Sequence, residues 1–181
     1  VGIDLEPHTD FFGWMYFQMD NLRKFYLNKF RSRPFIWAEY SHAMGNSNGN
    51  LKDLWDMVYA ERQMQGGFIW DFVDQGLAEF KDGKKYWAYG GDYAPSSYYN
   101  DSNFCMNGLV NPDRTPHPAL NEVKHVYQDA KVSILGNGDK IKIENRFFFK
   151  NLIDFDFRFD LIENGKSVKS ELMSFNIKPQ D

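Results

Sequence analysis

The sequence predicts an α/β fold, in which three strand-helix units form a parallel sheet and antiparallel strands follow. Before about Gln128, short apolar runs alternate with amphipathic stretches and glycine-rich turns. Strands that are covered on both faces are apolar throughout, so this pattern favours consecutive βα units. After Gln128 the apolar residues recur at every second position, which is typical of half-buried antiparallel strands.

Three apolar runs, at residues 11–16, 35–38 and 68–70, predict the strands of the parallel sheet. Helical spacing over residues 20–30 predicts a helix between the first two strands, with Leu22, Phe25, Tyr26 and Lys29. A second helix is predicted before the third strand, with Asn50 placed to cap its first turn. Its apolar positions are Leu51, Leu54, Trp55 and Val58. Three strands are too few for a complete barrel or doubly wound domain.

The second part of the chain predicts β-structure. One strand has an apolar face made of Phe155, Phe157, Phe159 and Leu161. Asn164-Gly165 predicts a hairpin turn after it, because both residues tolerate positive φ. Ile141 and Ile143 predict an earlier strand of the same sheet. So few strands cannot close a sandwich, so we expect only the beginning of a β-domain.

The composition of this 181-residue chain excludes several classes of protein. A net charge of -4 argues against nucleic-acid binding, and 43% hydrophobic with 25% charged residues is typical of a soluble globular protein. No apolar run approaches the ~20 residues of a membrane span, and the N-terminus lacks a signal-peptide pattern. A single cysteine, Cys105, excludes an internal disulfide and a cysteine-rich zinc site. Aromatic residues make up 18% of the chain, and such rings fill a core or line a pocket.

Polar residues follow each of the three predicted parallel strands. Tyr16 ends the first strand, Glu39 and His42 follow the second, and Asp71 and Asp74 follow the third. In parallel α/β folds, ligands bind beyond the carboxyl ends of the strands. These positions therefore predict a functional site.

Glu39 is the most informative of these residues. It follows the uncharged residues 34–38, so we expect its carboxylate to emerge at the rim of the sheet among aromatic rings. A catalytic role competes here with an ion pair to Arg33 or a structural salt bridge. His42 is a candidate metal ligand, general base or hydrogen-bond donor, although no second His or Cys lies at metal-ligand spacing. Trp70 is either a stacking platform for a sugar ring or part of the core.

Two glycine-containing loops have different implications. Residues 44–49 match neither a phosphate-binding loop nor a dinucleotide fingerprint, so phosphate binding has little support. The stretch from Gly90 to Gly108 is polar and has little periodicity. Such long irregular segments are typical of functional loops.

Four motifs carry a family resemblance. They are Glu39-Tyr40-Ser41-His42-Ala43-Met44-Gly45-Asn46, Gly66-Gly67-Phe68-Ile69-Trp70-Asp71, Gly90-Gly91-Asp92, and Phe104-Cys105-Met106-Asn107-Gly108-Leu109-Val110 with Asp113-Arg114-Thr115-Pro116 after it. In order and approximate spacing they resemble the β-galactosidases of glycoside hydrolase family 2. The resemblance covers residues 9–128 strongly and the remainder weakly.

The resemblance implies a partial (β/α)8 TIM barrel, made of the last three βα units, followed by antiparallel β-sandwich strands. We therefore expect the C-terminal part of the catalytic barrel at residues 1–110, a linker at 111–130 and the beginning of a β-sandwich domain at 131–181. Two features depart from the family pattern. Gly13-Trp14 replaces a Cys-Pro-like pair, and the loop at residues 93–100 is longer.

The resemblance implies a retaining glycoside hydrolase, in which the product keeps the anomeric configuration of the substrate. It removes terminal non-reducing β-D-galactose from β-galactosides through a covalent glycosyl-enzyme intermediate. Glu39 corresponds to the nucleophile and Tyr16 to the tyrosine that hydrogen-bonds that carboxylate. The same resemblance implies that His42 contacts galactose hydroxyls, that Trp70 forms the apolar floor and that Asn107 binds near the sugar.

The resemblance also implies two metal ions. Na⁺ would be held by the backbone carbonyl of Phe104 and the side chain of Asn107. The Mg²⁺ ligands and the acid/base glutamate belong to the part of the family pattern before Val1. A retaining glycosidase needs a second carboxyl group about 5–5.5 Å from the nucleophile. Asp71 and Asp74 are weak candidates for it, because Asp71 belongs to the family's structural Trp-Asp pair.

We therefore expect a fragment of a larger enzyme that is inactive on its own and functions with the remainder of its polypeptide, as a homo-oligomer. Its partner is a β-galactoside, with neither nucleic acid nor membrane involved, and a cytoplasmic location is favoured over a periplasmic one. One alternative is a family 2 hydrolase for another β-sugar, such as a glucuronidase. Another is a noncatalytic carbohydrate-binding fragment. His42 and the motif at residues 104–108 favour galactose.

Overall fold

A computed structural model describes residues 8–27 and 32–181 of the chain. The chain divides into two compact units, of which the first ends at Val126 and the second is Tyr127–Asp181. Within the described ranges, no helix has the length and apolar character needed to cross a bilayer.

The first unit is built on a parallel sheet in the order β1-β2-β3. The strands are β1 (Phe12–Met15), β2 (Phe35–Tyr40) and β3 (Met64–Ile69). Both pairings, β1 with β2 and β2 with β3, are parallel. The predicted parallel arrangement of the three strands is therefore confirmed.

The core of the first unit lies on one face of this sheet. Phe35, Trp37 and Tyr40 of β2 are buried, and Trp37 is only 1% exposed. The indole N–H of Trp37 donates to the carbonyl of Phe17 at 2.8 Å, so the polar atom of this buried ring is satisfied. Gly67 of β3 lies against Trp37 so closely that an added Cβ would fall 2.6 Å from the Trp37 Cβ.

No described residue covers the other face of the sheet, which differs from the expectation that both faces are buried. Met15 and Phe68 are 57% and 67% exposed, and Ala38 of β2 is also exposed. Packing within the described residues therefore explains the apolar side chains on one face of these strands but not those on the other face.

The first predicted helix differs in form from the expectation. Helix α1 (Met19–Asn21) is a single short turn and continues as a π-helical segment, Leu22–Leu27. Leu22 and Tyr26 are fully buried, whereas Phe25 is 36% exposed. Lys29, predicted to belong to this helix, lies outside the described residues.

The second predicted helix is confirmed as α2 (Leu51–Ala60), which contacts β3. Leu51 and Met57 form its buried positions. Asn50 occupies the N-cap position with φ of 62°, but its side chain makes no capping hydrogen bond. The predicted role of Asn50 as a side-chain cap is therefore wrong.

Four described elements of the first unit were not predicted. An antiparallel hairpin joins β4 (Leu77–Lys81) to β5 (Lys84–Ala88) through a turn at Asp82 and Gly83, both with positive φ. The short helix α3 (Gly90–Tyr93) follows it. Helix α4 (Ala119–Val126), within the predicted linker, contacts α2.

The second unit consists of two separate hairpins. One pairs β6 (Ala130–Leu135) with β7 (Lys140–Asn145), and the other pairs β8 (Phe157–Glu163) with β9 (Lys166–Met173). The turn at Asn164-Gly165 is confirmed, with φ of 50° and 77°.

The prediction that Ile141 and Ile143 belong to the same sheet as the strand at Phe155–Leu161 is wrong, because β7 and β8 lie in different two-stranded sheets. Buried Asn145 instead organises this unit. Its side-chain amide donates to the carbonyls of Lys150 and Ile177, both at 2.9 Å.

We predict that Gly67→Ala lowers the free energy of unfolding by about 1–3 kcal/mol, because the added Cβ overlaps Trp37. Gly13→Ala is the matched control in the same sheet, since its added Cβ would meet Ala38 and Ile36 at 3.9 and 4.0 Å. Urea unfolding of both variants beside the unsubstituted protein measures the difference. Equal stability of the two variants would contradict the close approach of β3 to β2.

Candidate active site

The carboxyl ends of β1, β2 and β3 meet at one edge of the sheet. The amide of Tyr16, just after β1, donates to the carbonyl of Glu39 at 2.7 Å. The amide of Trp70, just after β3, donates to the carbonyl of Tyr40 at 3.1 Å. Backbone pairing thus continues past the strands and brings the residues that follow them side by side.

The side chains of Tyr16 and Glu39 form a hydrogen-bonded pair at this edge. Burial, the largest cause, together with the hydrogen bond to Glu39 and the negative charges of Glu39 and Asp71, raises the pKa of Tyr16 to about 12. A phenol with this pKa keeps its proton at neutral pH, so Tyr16 is the donor and the Glu39 carboxylate is the acceptor.

The backbone turns sharply where these side chains are presented. Tyr16 and Ser41 both have positive φ, of 52° and 50°. This region is uncommon for residues other than glycine, and it persists only where the surrounding structure holds it. Both turns lie directly after strands whose ends are fixed by hydrogen bonds, so the packed sheet supports them.

His42 lies between two aromatic rings of the site. Its ring centroid is 6.1 Å from that of Tyr16 and 5.4 Å from that of Phe104. Its Nε2 atom is buried and has no hydrogen-bond partner among the described residues. Buried polar atoms usually find a partner. His42 therefore presents an unused hydrogen-bonding atom close to the Tyr16–Glu39 pair.

Trp70 is held through its backbone and is partly open to solvent. Its carbonyl accepts from the amide of Ala43 at 2.7 Å, and its peptide bond with Asp71 is cis. The residue is 37% exposed. A ring with this exposure has a free surface for a ligand, so the stacking role stays a prediction.

Asn107 is brought to the same edge by the segment at residues 104–110. Its carbonyl accepts from the amide of Asp71 at 2.8 Å, directly after Trp70. Asn107 is 2% exposed, and its Oδ1 atom has no hydrogen-bond partner in the described part of the chain. The Oδ1 atom of Asp71 is likewise buried and unpaired. Three unused polar atoms, from His42, Asp71 and Asn107, thus belong to this edge of the sheet.

Among residues 8–27 and 32–181, no group of three or more His, Cys, Asp or Glu side chains could hold a metal ion. The predicted sodium ligands are of another kind, since they are an amide oxygen of Asn107 and a backbone carbonyl at Phe104. An unpaired buried amide oxygen fits a hard monovalent cation, which prefers oxygen ligands. Asn107 is therefore compatible with its predicted role.

The open pocket beside these residues is a different feature. It has a volume of about 570 Å³ and is lined by Tyr16, His42 and the beginning of α2. Glu39, Trp70 and Asn107 do not line it. We therefore identify the candidate site with the strand-end residues rather than with this pocket.

Comparison with known proteins identifies the family. The model of the family described as Glycosyl hydrolases family 2, TIM barrel domain matches residues 6–132. The chain belongs to glycoside hydrolase family 2. The match includes every candidate site residue, from Tyr16 to Asn107.

Several curated proteins are similar to this family 2 chain. A β-galactosidase of Photobacterium profundum is 44% identical over 142 residues, which are 76% of this chain and 14% of that protein. One from Pseudoalteromonas haloplanktis is 41% identical over 157 residues, covering 82% of the chain and 15% of the relative. One from Vibrio cholerae is 42% identical over 150 residues, covering 82% and 14%. The chain thus spans about one seventh of the length of these relatives.

The sequence of this family 2 chain did not reveal the pairing of buried Asp74 with partly exposed His117 beside the site. Asp74 is 5% exposed and lies 2.7 Å from Nε2 of His117. The other oxygen of Asp74 accepts from the amide of Gly108, so both oxygens of this carboxylate have hydrogen-bond partners within the protein. The position of His117 between Pro116 and Pro118 was the available signal, because a histidine fixed in such a rigid segment has little freedom to leave its partner.

We predict that Glu39→Gln lowers the pKa of Tyr16 from about 12 towards the ordinary tyrosine value of about 10. The fall is partial, because burial, the largest cause, remains while the carboxylate charge is lost. Ultraviolet absorbance during alkaline titration, compared with that of the matching Tyr16→Phe protein, isolates this phenol.

Glu79→Gln is the matched control for this titration. Glu79 accepts a hydrogen bond from Tyr93 at 3.2 Å, so the control removes a carboxylate from another tyrosine–glutamate pair. It should leave the pKa of Tyr16 unchanged. A Tyr16 pKa that stays at about 12 in Glu39→Gln would contradict the pairing of Tyr16 with Glu39.

Proposed function

We propose that this chain forms the last three βα units of the catalytic barrel of a family 2 β-galactosidase, with the beginning of a β-sandwich domain after it. The names of the curated relatives support the substrate class. The uncovered apolar face of the parallel sheet supports a position within a larger barrel, since such a face is stable when further elements cover it. The remainder of the polypeptide is the first partner in this proposal.

The observation that carries the proposal is the Tyr16–Glu39 pair at the strand ends. In the proposed reaction a Glu39 carboxylate oxygen attacks the anomeric carbon of galactose. A bond forms between these two atoms while the bond to the leaving oxygen breaks, and inversion at carbon accompanies the step. The leaving oxygen takes a proton from a second carboxyl group, which we assign to another part of the polypeptide.

A second displacement completes the proposed cycle. Water, deprotonated by that same second group, attacks the anomeric carbon and releases Glu39 as a free carboxylate. Two inversions retain the β-configuration. Tyr16 holds the nucleophile through its hydrogen bond and keeps its own proton, because its pKa is about 12. The bond orients one carboxylate oxygen and leaves the other for attack.

The sugar contacts in this proposal come from the unused polar atoms of the site. Nε2 of His42 is available to a galactose hydroxyl group, which both donates and accepts hydrogen bonds. Oδ1 of Asn107 has two lone pairs, so in this proposal it serves both a sugar hydroxyl and Na⁺. The half-exposed ring of Trp70 offers an apolar surface to the C–H face of the sugar. Polar contacts at hydroxyls and an apolar floor together give the specificity expected of a sugar site.

Metal ions enter the proposal in two ways. Na⁺ would be held by Oδ1 of Asn107 and the carbonyl of Phe104, together with ligands from elsewhere in the polypeptide. When bound, it would supply positive charge that orients a sugar hydroxyl. The described residues contain no donor set for Mg²⁺, so we assign its ligands to other parts of the enzyme.

We predict that Glu39→Gln in the full-length protein reduces kcat for a chromogenic β-galactoside by several orders of magnitude. The amide keeps the shape of the side chain but cannot form the glycosyl ester. Binding of a thio-β-galactoside, which is not hydrolysed, should remain. Steady-state kinetics and calorimetry measure the two effects separately.

Glu79→Gln again serves as the control, because Glu79 is a hydrogen-bonded carboxylate on the β4–β5 hairpin. It should retain the kcat of the unsubstituted protein. Full activity of Glu39→Gln would refute the nucleophile assignment. Activity of the unsubstituted protein on β-glucuronides in place of β-galactosides would refute the substrate assignment, and binding without any turnover would favour a noncatalytic carbohydrate-binding role.

A further inference from the structure

The peptide group between Asn107 and Gly108 is held at both ends. Its carbonyl oxygen accepts from the amide of Asp71 at 2.8 Å, and its N–H donates to Oδ1 of Asp74 at 2.7 Å. Because a peptide group is planar, fixing its two ends fixes the orientation of the whole plane. The direction in which the Asn107 side chain leaves the backbone follows from that orientation.

This segment also lies unusually close to the chain that follows β3. A Cβ on Gly108 would fall 2.1 Å from the amide nitrogen of Asp74 and 2.3 Å from the carbonyl carbon of Val73. No side chain fits there. The amide of Leu109 donates to the carbonyl of Asp71 at 3.1 Å, so backbone bonds continue on the far side of the glycine.

His117 closes the arrangement from the other side. Its own amide donates to the carbonyl of Leu109 at 3.0 Å, and its Nε2 lies 2.7 Å from Oδ2 of Asp74. The carboxylate oxygen accepts, so Nε2–H is the donor in this pair. Each oxygen of the buried carboxylate therefore has one strong partner. Removing either partner leaves one oxygen of a buried carboxylate without a hydrogen bond, which destabilises the protein.

The carboxamide oxygen of Asn107 is oriented by no hydrogen bond from the described residues. Oδ1 is buried and lacks a hydrogen-bond partner in the described residues. This unpaired oxygen can accept a hydrogen bond from a ligand, and its position depends on the backbone of Asn107. The backbone restraint is supplied by Asp74 through Gly108.

We propose that Asp74 and His117 are positioning residues for Asn107. They do not touch the sugar, and they act by fixing the Asn107–Gly108 peptide group. This inference rests on the proposed function, because it treats Asn107 as a contact of the galactoside site.

Two substitutions of one residue in the full-length protein form the test. The amide nitrogen of Gln in His117→Gln reaches approximately the place of Nε2 and can still donate to Asp74. His117→Asn carries the same amide on a side chain one methylene shorter, which does not reach. We expect His117→Asn to weaken the Kd for a thio-β-galactoside by about tenfold, or about 1.4 kcal/mol, and to raise KM in parallel. His117→Gln should restore both to within about threefold of the unsubstituted protein.

Combination with Asn107→Ala separates positioning from general stability. If His117 acts through Asn107, His117→Asn should cause no further loss of thio-β-galactoside binding in the Asn107→Ala background. Asp113→Ala, which removes an exposed carboxylate from the turn before His117, is the control and should keep the original Kd. Thermal unfolding of each protein reports the structural cost independently.

Several outcomes would overturn the inference. A lower melting temperature with unchanged Kd in His117→Asn would make the pair purely structural. Additive losses with Asn107→Ala, or failure of His117→Gln to restore binding, would equally refute positioning through Asn107. Failure of the proposed function is recognised separately, because then the unsubstituted protein would neither bind the thio-β-galactoside nor hydrolyse a chromogenic one.

Discussion

The parallel pairing of β2 with both of its neighbours is the constraint on which the site depends. It brings three strand ends to one edge, and the backbone bonds of Tyr16 to Glu39 and of Trp70 to Tyr40 extend the pairing beyond the strands. Gly67 permits the close approach of β3 to β2. These backbone contacts fix the positions of the side chains that follow the strands. A site built on rigid elements holds its side chains more precisely than one built on loops alone.

The site contains buried polar atoms that have no hydrogen-bond partner within the described parts of the chain. His42, Asp71 and Asn107 each keep one such atom, and an unpaired buried group costs about 1–3 kcal/mol. The packed sheet and the backbone ladder of residues 71–75 with 105–110 offset this cost. In the proposed function, a ligand rich in hydroxyl groups would recover part of this cost on binding, and the stability forgone in the free protein would contribute to binding free energy and to selectivity for a sugar.

Local patterns in the sequence were sufficient for the parts of the fold that depend on neighbouring residues. Apolar runs predicted β1, β2 and the end of β3, but β3 begins four residues before the predicted start, at Met64, and includes Gly66 and Gly67. Helical spacing predicted α2, and Asn164-Gly165 predicted its turn. The separation of β7 from β8 into different sheets was missed, because alternation indicates a strand but not its partner. Asp74 and His117 are 43 residues apart, and their pairing depends on the backbone ladder between them, which no local pattern reports.

Covalent trapping shows whether Glu39 is the nucleophile. A 2-deoxy-2-fluoro-β-galactoside with a good leaving group slows hydrolysis of the glycosyl-enzyme, so the intermediate accumulates on the full-length protein. Proteolysis and mass spectrometry then locate the sugar. We expect a single labelled peptide with the fluorosugar esterified to Glu39. A fluorosugar on Asp71, or on any carboxylate other than Glu39, would contradict it.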